Sequence, residues 1–244
     1  SDQPPATSVY RHAMDGAPRS LDPAQASNVY AKMLAVNLFD TLYRYKYLAR
    51  PYQLTPNLAE AMPRVSADGL IYTIRLRADA RFIDDPAFPG GQGRAVTAQD
   101  FVYSIKRHFD PATRAQGAWL WQGRIVGLDD WKAEGSDYDA EVPGLRALDD
   151  YTIQIQLISP FPQLTHTLAQ GFAAVVPREA VERYGAFVQA RPHQVAGWSG
   201  LMNASLKASD DENLEAKGKI CRDYAAELVV LDKTQPDGAP PLSS

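Results

Sequence analysis

Residues 56–77 read PNLAEAMPRVSADGLIYTIRLR, and this stretch decides the fold. Its first seven residues are mostly helix-forming, and Asp68 with Gly69 makes a pair typical of tight turns. From Ile71 to Arg77 apolar residues alternate with polar ones, which is the pattern of a strand with one buried face. The stretch therefore predicts a short helix over 56–62, a turn and a half-buried strand.

Other elements follow from the same kinds of pattern. Thr97, with Asp100 three residues later, predicts a capping-box start for a helix that runs to about Phe109. Apolar spacing predicts a helix over 29–38, and alternation predicts a strand over 151–157. Further predictions are strands over 8–14 and 173–176, a short, tryptophan-rich helix over 117–126, and helices over 160–170 and 178–184.

Composition excludes several classes of protein. The chain has 244 residues, enough for one large domain or two ordinary ones, and 45% of them are hydrophobic. A net charge of −4 is not that of a nucleic-acid-binding protein. Its longest apolar runs are too short to cross a bilayer. Cys221 is the only cysteine, so neither a disulfide framework nor a thiolate metal cluster is expected.

The first residues, Ser1 to Pro5, have neither the basic start nor the apolar segment of a secretory leader. This is consistent with a cytoplasmic protein and equally with a mature exported protein whose leader has been removed. Composition does not choose between these two locations.

A series of segments resembles the extracytoplasmic solute-binding proteins of peptide importers, the family of dipeptide- and oligopeptide-binding proteins. The resemblance covers roughly residues 8–192, and its segments occur in the family's order. They are LDP at 21–23, NLFDTLY at 37–43, the stretch 56–77, RF with DD at 81–85, TAQDFVYS at 97–104, LRALDDY at 145–151 and AVVPREA at 174–180.

The resemblance implies an α/β fold: the mixed-sheet first lobe of a two-lobed, periplasmic-binding-protein-like structure, with an inserted β-rich subdomain. Residues 1–45 and 160–192 would belong to the first lobe, residues 46–159 to the inserted subdomain, and 193–244 would be an unassigned tail. Where similar proteins continue into a second lobe, this chain has Arg191 to Trp198 and about fifty more residues. We therefore expect the second lobe to be absent, through a fragment, a frameshift or a natural truncation.

The function implied is capture of a peptide or similar small solute outside the cytoplasm, by a mature periplasmic or extracytoplasmic protein, and its delivery to an ABC permease. The resemblance implies no catalysis, no cofactor, no nucleic-acid partner and no membrane span. Two alternatives stay open. The solute could be an oligosaccharide or a nickel complex, or the truncated chain could bind no solute at all.

The resemblance also implies two groups of ligand-binding residues. Ser27, Asn28 and Val29 follow the LDP turn and would offer backbone groups to the ligand, although a plain surface turn before a helix is the alternative. Gly117, Trp119 and Trp121 lie in a region that carries aromatic residues at the family's cleft. Because the two tryptophans are two positions apart, a helix would point one to the ligand and the other to the core.

The sequence predicts no catalytic or metal site. Asp84 and Asp85 are neighbours in a Pro/Gly-rich loop, so a solvated turn is expected. His108 and Asp110 lack a further His or Cys at a ligand spacing, and His108 is instead interpreted as interacting with a helix dipole. The sequence contains no nucleophile elbow, P-loop or dinucleotide fingerprint.

Overall fold

The computed structural model describes residues 20–46 and 49–184, apart from the side chain of Asn37, and the backbone of 204–206. The predicted strand over 8–14 and most of the tail lie outside the described residues. In chain order the elements are α1 (Val29–Leu38), β1 (Tyr43–Tyr45), β2 (Leu54–Pro56), β3 (Arg64–Val65), β4 (Ile71–Arg75), β5 (Ala80–Phe82), α2 (Ala98–Lys106), α3 (Leu128–Ala133), β6 (Leu145–Asp149), β7 (Thr152–Gln156), α4 (Leu164–Thr167), α5 (Arg178–Tyr184) and β8 (Ala204–Leu206). Short 3-10 turns occupy Pro89–Gly91, Pro111–Thr113, Ala118–Leu120 and Gly171–Ala173.

A four-stranded antiparallel sheet with the order β3-β4-β7-β6 forms the centre of the fold. Tyr72 and Ile74 of β4 lie opposite Ile155 and Ile153 of β7. All four side chains are buried, whereas Arg75 on the other face is exposed. The predicted turn and alternating strands are therefore confirmed. The pairs β1-β2 and β5-β8 are also antiparallel.

Helix α2 is the central helix and packs against β6 and β7. Its start follows the predicted capping pattern, because the Asp100 carboxylate accepts hydrogen bonds from the Thr97 backbone N–H at 2.8 Å and from its hydroxyl at 2.9 Å. Phe101 and Ile105 have no exposed surface. The helix is buried on almost every side, and its buried polar residues are hydrogen-bonded: Asp100 to Arg94, Ser104 to the Asp100 carbonyl, and Lys106 to the carbonyls of Tyr138 and Ala140.

Helix α1 begins and ends as predicted. The Asn28 side chain caps it by accepting a hydrogen bond from the Ala31 backbone N–H at 2.8 Å. Its inner face joins a small apolar cluster through Ala35 and Leu38, while Val29 and Val36 on the outer face are exposed. The larger core draws on residues from Leu42 to Ala180. The proposed division of the chain near residues 45 and 160 stays a prediction.

The predicted helix over 56–62 is wrong. Residues 54–56 form β2, and the backbone N–H groups of Asn57 and Leu58 donate to the carbonyls of Leu42 and Thr41 at 3.0 and 3.2 Å. The Asn57 amide also donates to Asp40 Oδ1 at 3.0 Å. These tertiary hydrogen bonds satisfy the backbone in an extended form and override the weak local helix propensity.

Two other local predictions are corrected. The stretch 117–126 contains only the single turn Ala118–Leu120, and Gly123 further on has a φ of 66°, which ends helical geometry. The stretch 173–176 is not a strand. Its first residue ends the 3-10 turn Gly171–Ala173, and its one backbone hydrogen bond to the segment after α1 runs from the Val175 N–H to the Asp40 carbonyl at 3.0 Å. Ala174 and Val176 pack in the apolar cluster of α1 without forming a strand ladder.

Candidate functional site

An open pocket lies where α1, the turn Ala118–Leu120 and the region of α4 meet. We call it the Trp119 pocket, and it encloses about 660 Å³ when the space that opens to solvent is included. Its lining mixes aromatic, apolar and polar groups. The lining residues are Lys32, Trp119, Leu120, Gln163, His166, Thr167, Gln170 and Phe172.

The two predicted tryptophans separate as expected, although on a 3-10 turn rather than a helix. Trp119 is 65% exposed and lines the pocket, whereas Trp121 is 1% exposed and belongs to the main core. Trp121 Nε1 is buried and has no hydrogen-bond partner among the residues that the structure describes. An exposed tryptophan beside an open pocket offers a large apolar face for a ligand.

Gly117 lies beneath the pocket rather than in its lining. A Cβ at this position would stand 2.8 Å from Phe172 Cδ1 and 3.1 Å from His108 Cε1. Gly117 therefore lets the Phe172 ring, which forms part of the pocket wall, pack directly against the backbone.

Ser27, Asn28 and Val29 lie at the start of α1, and Lys32 lies in the first turn of the same helix. Ser27 and Val29 are exposed, Val29 to 68%, and Asn28 is the helix cap. None of the three is among the residues that line the Trp119 pocket. They form a surface adjacent to it, and their contact with a ligand stays a prediction, as does that of Gly117 and the tryptophans.

The start of α1 is held in place by the turn before it. Asp22 forms a bidentate pair with Arg107, with Nη1 to Oδ1 at 3.0 Å, and also accepts from the Ala24 N–H at 3.0 Å. Burial alone would lower the pKa of Arg107, but the Asp22 carboxylate outweighs that effect and raises the pKa. The Gln25 side chain adds a hydrogen bond to the Thr113 carbonyl at 2.6 Å.

His108 supports the opposite wall. Its Nε2 lies 2.6 Å from the Phe172 carbonyl, which can only accept, so Nε2 carries the proton. Burial lowers the pKa of His108 to about 4; the Phe172 carbonyl opposes this and the Arg107 charge adds to it. The imidazole is therefore neutral at pH 7. The interpretation that it interacts as a cation with the dipole of α2 is wrong.

Asp110 is engaged by hydrogen bonds within the described structure. Both Asp110 oxygens already accept hydrogen bonds, Oδ1 from the Ala112 N–H and Oδ2 from the Tyr138 hydroxyl, each at 2.8 Å. No group of three or more His, Cys, Asp or Glu side chains within the described ranges could hold a metal ion.

The expectation of a solvated turn holds for Asp84 and fails for Asp85. Asp84 is exposed and accepts from the Gly93 N–H at 2.9 Å. Asp85 is 4% exposed and accepts hydrogen bonds from the Tyr184 hydroxyl at 2.7 Å and the Ala87 N–H at 2.8 Å. It ties this loop to α5, a structural role.

Sequence reasoning missed Lys32, His166 and Phe172. One signal was available for Lys32: it is the single charged residue of α1, one turn after the cap Asn28. Nothing in the sequence pattern distinguished Phe172 or His166, because their contacts with Gly117 and the β1 region depend on tertiary structure. Within the residues described, no helix has the length and apolar character that a membrane crossing requires.

Comparison with known proteins agrees with this architecture. The family described as bacterial extracellular solute-binding proteins, family 5 middle region, matches residues 53–216. The periplasmic oligopeptide-binding protein OppA of Escherichia coli is 33% identical over 168 residues, which are 68% of this chain and 28% of OppA. The oligopeptide-binding protein AliB of Streptococcus pneumoniae is 32% identical over 64% of this chain and 22% of AliB.

Solved structures give the same result. The structure of Listeria monocytogenes OppA bound to peptide superposes with a TM-score of 0.58 at 27% identity, over 69% of this chain and 30% of that protein. OppA of Haemophilus influenzae, solved in complex with a peptide, gives a TM-score of 0.59 at 28% identity, over 72% and 32%.

The chain thus spans less than a third of the length of these relatives. Their likeness confirms the α/β fold class and the resemblance seen in the sequence. Because more than half of its residues match the family in sequence, this chain belongs to family 5 of the bacterial extracellular solute-binding proteins.

Proposed function

We propose that this chain captures peptides outside the cytoplasm, as the solute-binding component of an ABC importer, and passes them to a membrane permease without catalysis. The observation that carries the proposal is the match to OppA and AliB, whose names describe them as oligopeptide-binding proteins. The site is compatible with it, since an open pocket beside an exposed tryptophan suits binding rather than an enclosed reaction.

In this proposal each predicted residue has a separate role. Trp119 is the apolar wall against which a ligand side chain packs, and Trp121 supports it from the core. Ser27, Asn28 and Val29 present backbone groups to an extended peptide, whose main chain can pair without regard to its sequence. Gly117 keeps the Phe172 wall in place. Residues 1–45 and 160–192 form a lobe, and 46–159 form its inserted subdomain.

Affinity for a ligand in the Trp119 pocket is expected to be weak. The pocket is open, so a bound ligand keeps part of its surface in water, and the loss of translational freedom is only partly offset. We expect dissociation constants on the order of 0.1–1 mM for peptides, which correspond to about 4–5.5 kcal/mol of binding free energy.

Titration of the full chain with a mixed library of tri- to hexapeptides, followed by tryptophan fluorescence and calorimetry, tests the proposal. Oligosaccharides and nickel are titrated in parallel. Saturable binding of peptides that Trp119→Ala weakens, and that Ile158→Ala leaves unchanged, supports it; Ile158 is 58% exposed and lies outside the pocket. If only oligosaccharides or only nickel bound, the ligand of this chain would be that solute and the peptide proposal would be rejected. No response to any of the three would mean that the chain does not bind solutes by itself.

A further inference from the structure

Lys32 gives the Trp119 pocket its charge. Among the eight residues that line the pocket it is the only lysine or arginine, and none of the eight is an aspartate or glutamate. The other polar groups of the lining are the side chains of Gln163, His166, Thr167 and Gln170. The rim therefore combines one lysine ammonium group with several hydrogen-bonding side chains and no carboxylate.

The Lys32 charge is not neutralised by the rest of the described structure. No ion pair within the described residues includes Lys32, and its Nζ lies 5.3 Å from the centroid of the Phe172 ring. A cation over an aromatic face keeps its charge, and the ring attracts it weakly at an exposed site. Among the described residues, the ammonium group therefore has no carboxylate partner that would compete with a ligand at the pocket mouth.

The surface under Lys32 is fixed by buried contacts. The Phe172 carbonyl is bound by His108 at 2.6 Å, and the Phe172 ring packs on Gly117. On the other side, the Asn28 cap and the Asp22–Arg107 pair fix the start of α1. The backbone that carries Lys32 and the aromatic wall are therefore both anchored by contacts within the fold.

We propose that this pocket selects a carboxylate that stands next to an apolar or aromatic group, so that Lys32 pairs with the carboxylate while Trp119 and Phe172 cover the apolar part. The proposal deepens the peptide-binding function and rests on it. Two parts of a peptide supply this chemistry: an acidic side chain beside an apolar residue, or the C-terminal carboxylate itself. A cationic group in the same place would meet the Lys32 charge and be rejected.

The expected preference is modest because Lys32 is exposed. Exposed ion pairs change an equilibrium by about two- to fivefold, and the change falls as salt screens it. Reversal of the charge replaces attraction by repulsion, so the ratio of affinities for a charged and a neutral ligand should change by about tenfold.

Four tetrapeptides test the proposal on the full 244-residue chain. Each contains phenylalanine followed by glutamate or glutamine between alanines, and each is made with a free or an amidated C-terminus. Affinities are measured by calorimetry at low and high ionic strength. The proteins are the natural chain, K32Q, K32E and the control K132E, which changes an exposed lysine of α3 outside the pocket.

The natural chain should bind the peptides with a carboxylate about two- to fivefold more tightly than their neutral counterparts. K32Q should abolish this preference, K32E should reverse it, and K132E should keep it. If the tighter binding is lost when glutamate is changed to glutamine, the acidic side chain is the carboxylate that Lys32 binds. If it is lost when the C-terminus is amidated, the C-terminal carboxylate is the group that Lys32 binds. Urea unfolding checks that all variants are equally stable.

If the ratio of the affinities for a charged and a neutral peptide were the same in the natural chain and in K32E, the assignment of Lys32 would be overturned, while peptide binding would stand. Failure of the natural chain to bind these tetrapeptides and the mixed library would overturn peptide binding, and the charge preference with it. The two failures are therefore distinguishable.

Discussion

Asp22 and Arg107 lie 85 residues apart in the chain and form an ion pair that is almost completely buried, with the two side chains 0% and 3% exposed. Arg107 directly follows α2, the central helix, and Asp22 belongs to the turn that precedes α1. The pair therefore connects the core of the fold to the segment that carries the predicted ligand contacts.

Arg107→Met should destabilise the fold strongly. It leaves the Asp22 carboxylate buried without its partner, which typically costs about 3–5 kcal/mol of unfolding free energy. Arg75→Met is the matched control, because Arg75 pairs with Glu60 at 3.2 Å with both side chains more than half exposed, and its loss should cost about 0.5 kcal/mol or less. Urea denaturation measures both. Equal effects of the two substitutions would contradict a structural role for the buried pair.

The tryptophans should differ in the same assay. Trp121→Ala removes a side chain that is 1% exposed and should cost about 3–5 kcal/mol through lost burial and a new cavity. Trp119→Ala removes one that is 65% exposed and should change the unfolding free energy by about 0.5 kcal/mol or less. A large destabilisation by Trp119→Ala would show that this side chain packs in the fold instead of facing the pocket.

The predictability of the fold follows the range of the interactions. The start of α2 was predictable because Thr97 and Asp100 form their hydrogen bond within one turn. The strand β4 was predictable because the buried Tyr72 and Ile74 alternate with less buried positions whatever lies opposite them. The stretch 56–62 was not, because Asn57 makes its hydrogen bonds with Asp40 and Thr41, far along the chain.

In the candidate site, too, local features were predictable and tertiary contacts were not. The spacing of Trp119 and Trp121 predicted that their side chains would point in different directions, and the structure shows which of them is exposed and which is buried. The pocket itself brings together Lys32 and Phe172, which are distant in sequence and share no motif. Only the family resemblance pointed to this region, and it predicted Trp119 as a ligand contact but did not predict Lys32.

His108 should make stability depend on pH. Its pKa of about 4 in the folded chain lies below the value of 6.5 for a free histidine, so the unfolded chain binds the proton more readily between these values. Stability is therefore complete above about pH 6.5 and falls toward pH 4, by an amount on the order of 3 kcal/mol.

Urea denaturation from pH 7.5 to 4.5 isolates this contribution when the chain is compared with His108→Gln. The variant keeps an N–H donor for the Phe172 carbonyl but does not titrate, so its stability should decline less steeply, while carboxylates contribute equally to both. His166→Gln, which removes an imidazole from the pocket rim, is the control and should keep the steep decline. Identical slopes for the natural chain and His108→Gln would refute the burial of a neutral imidazole.

Gly117→Ala tests the pocket wall directly. The φ of −100° at Gly117 is accessible to alanine, so the cost is steric: the new Cβ would stand 2.8 Å from the Phe172 ring, and the ring must move. We expect a loss of about 1–3 kcal/mol of unfolding free energy and weaker peptide binding, because the displaced ring changes the wall that faces Lys32.

Gly171→Ala is the matched control in the same region. A Cβ there would meet only the Ala35 side chain at 3.9 Å, an ordinary contact, so stability should stay equal or rise by about 0.4–1 kcal/mol. Stability and peptide affinity are measured for both variants. If Gly117→Ala retained both, the Phe172 ring would have room to relax without loss, and Gly117 would not be what holds the aromatic wall in position.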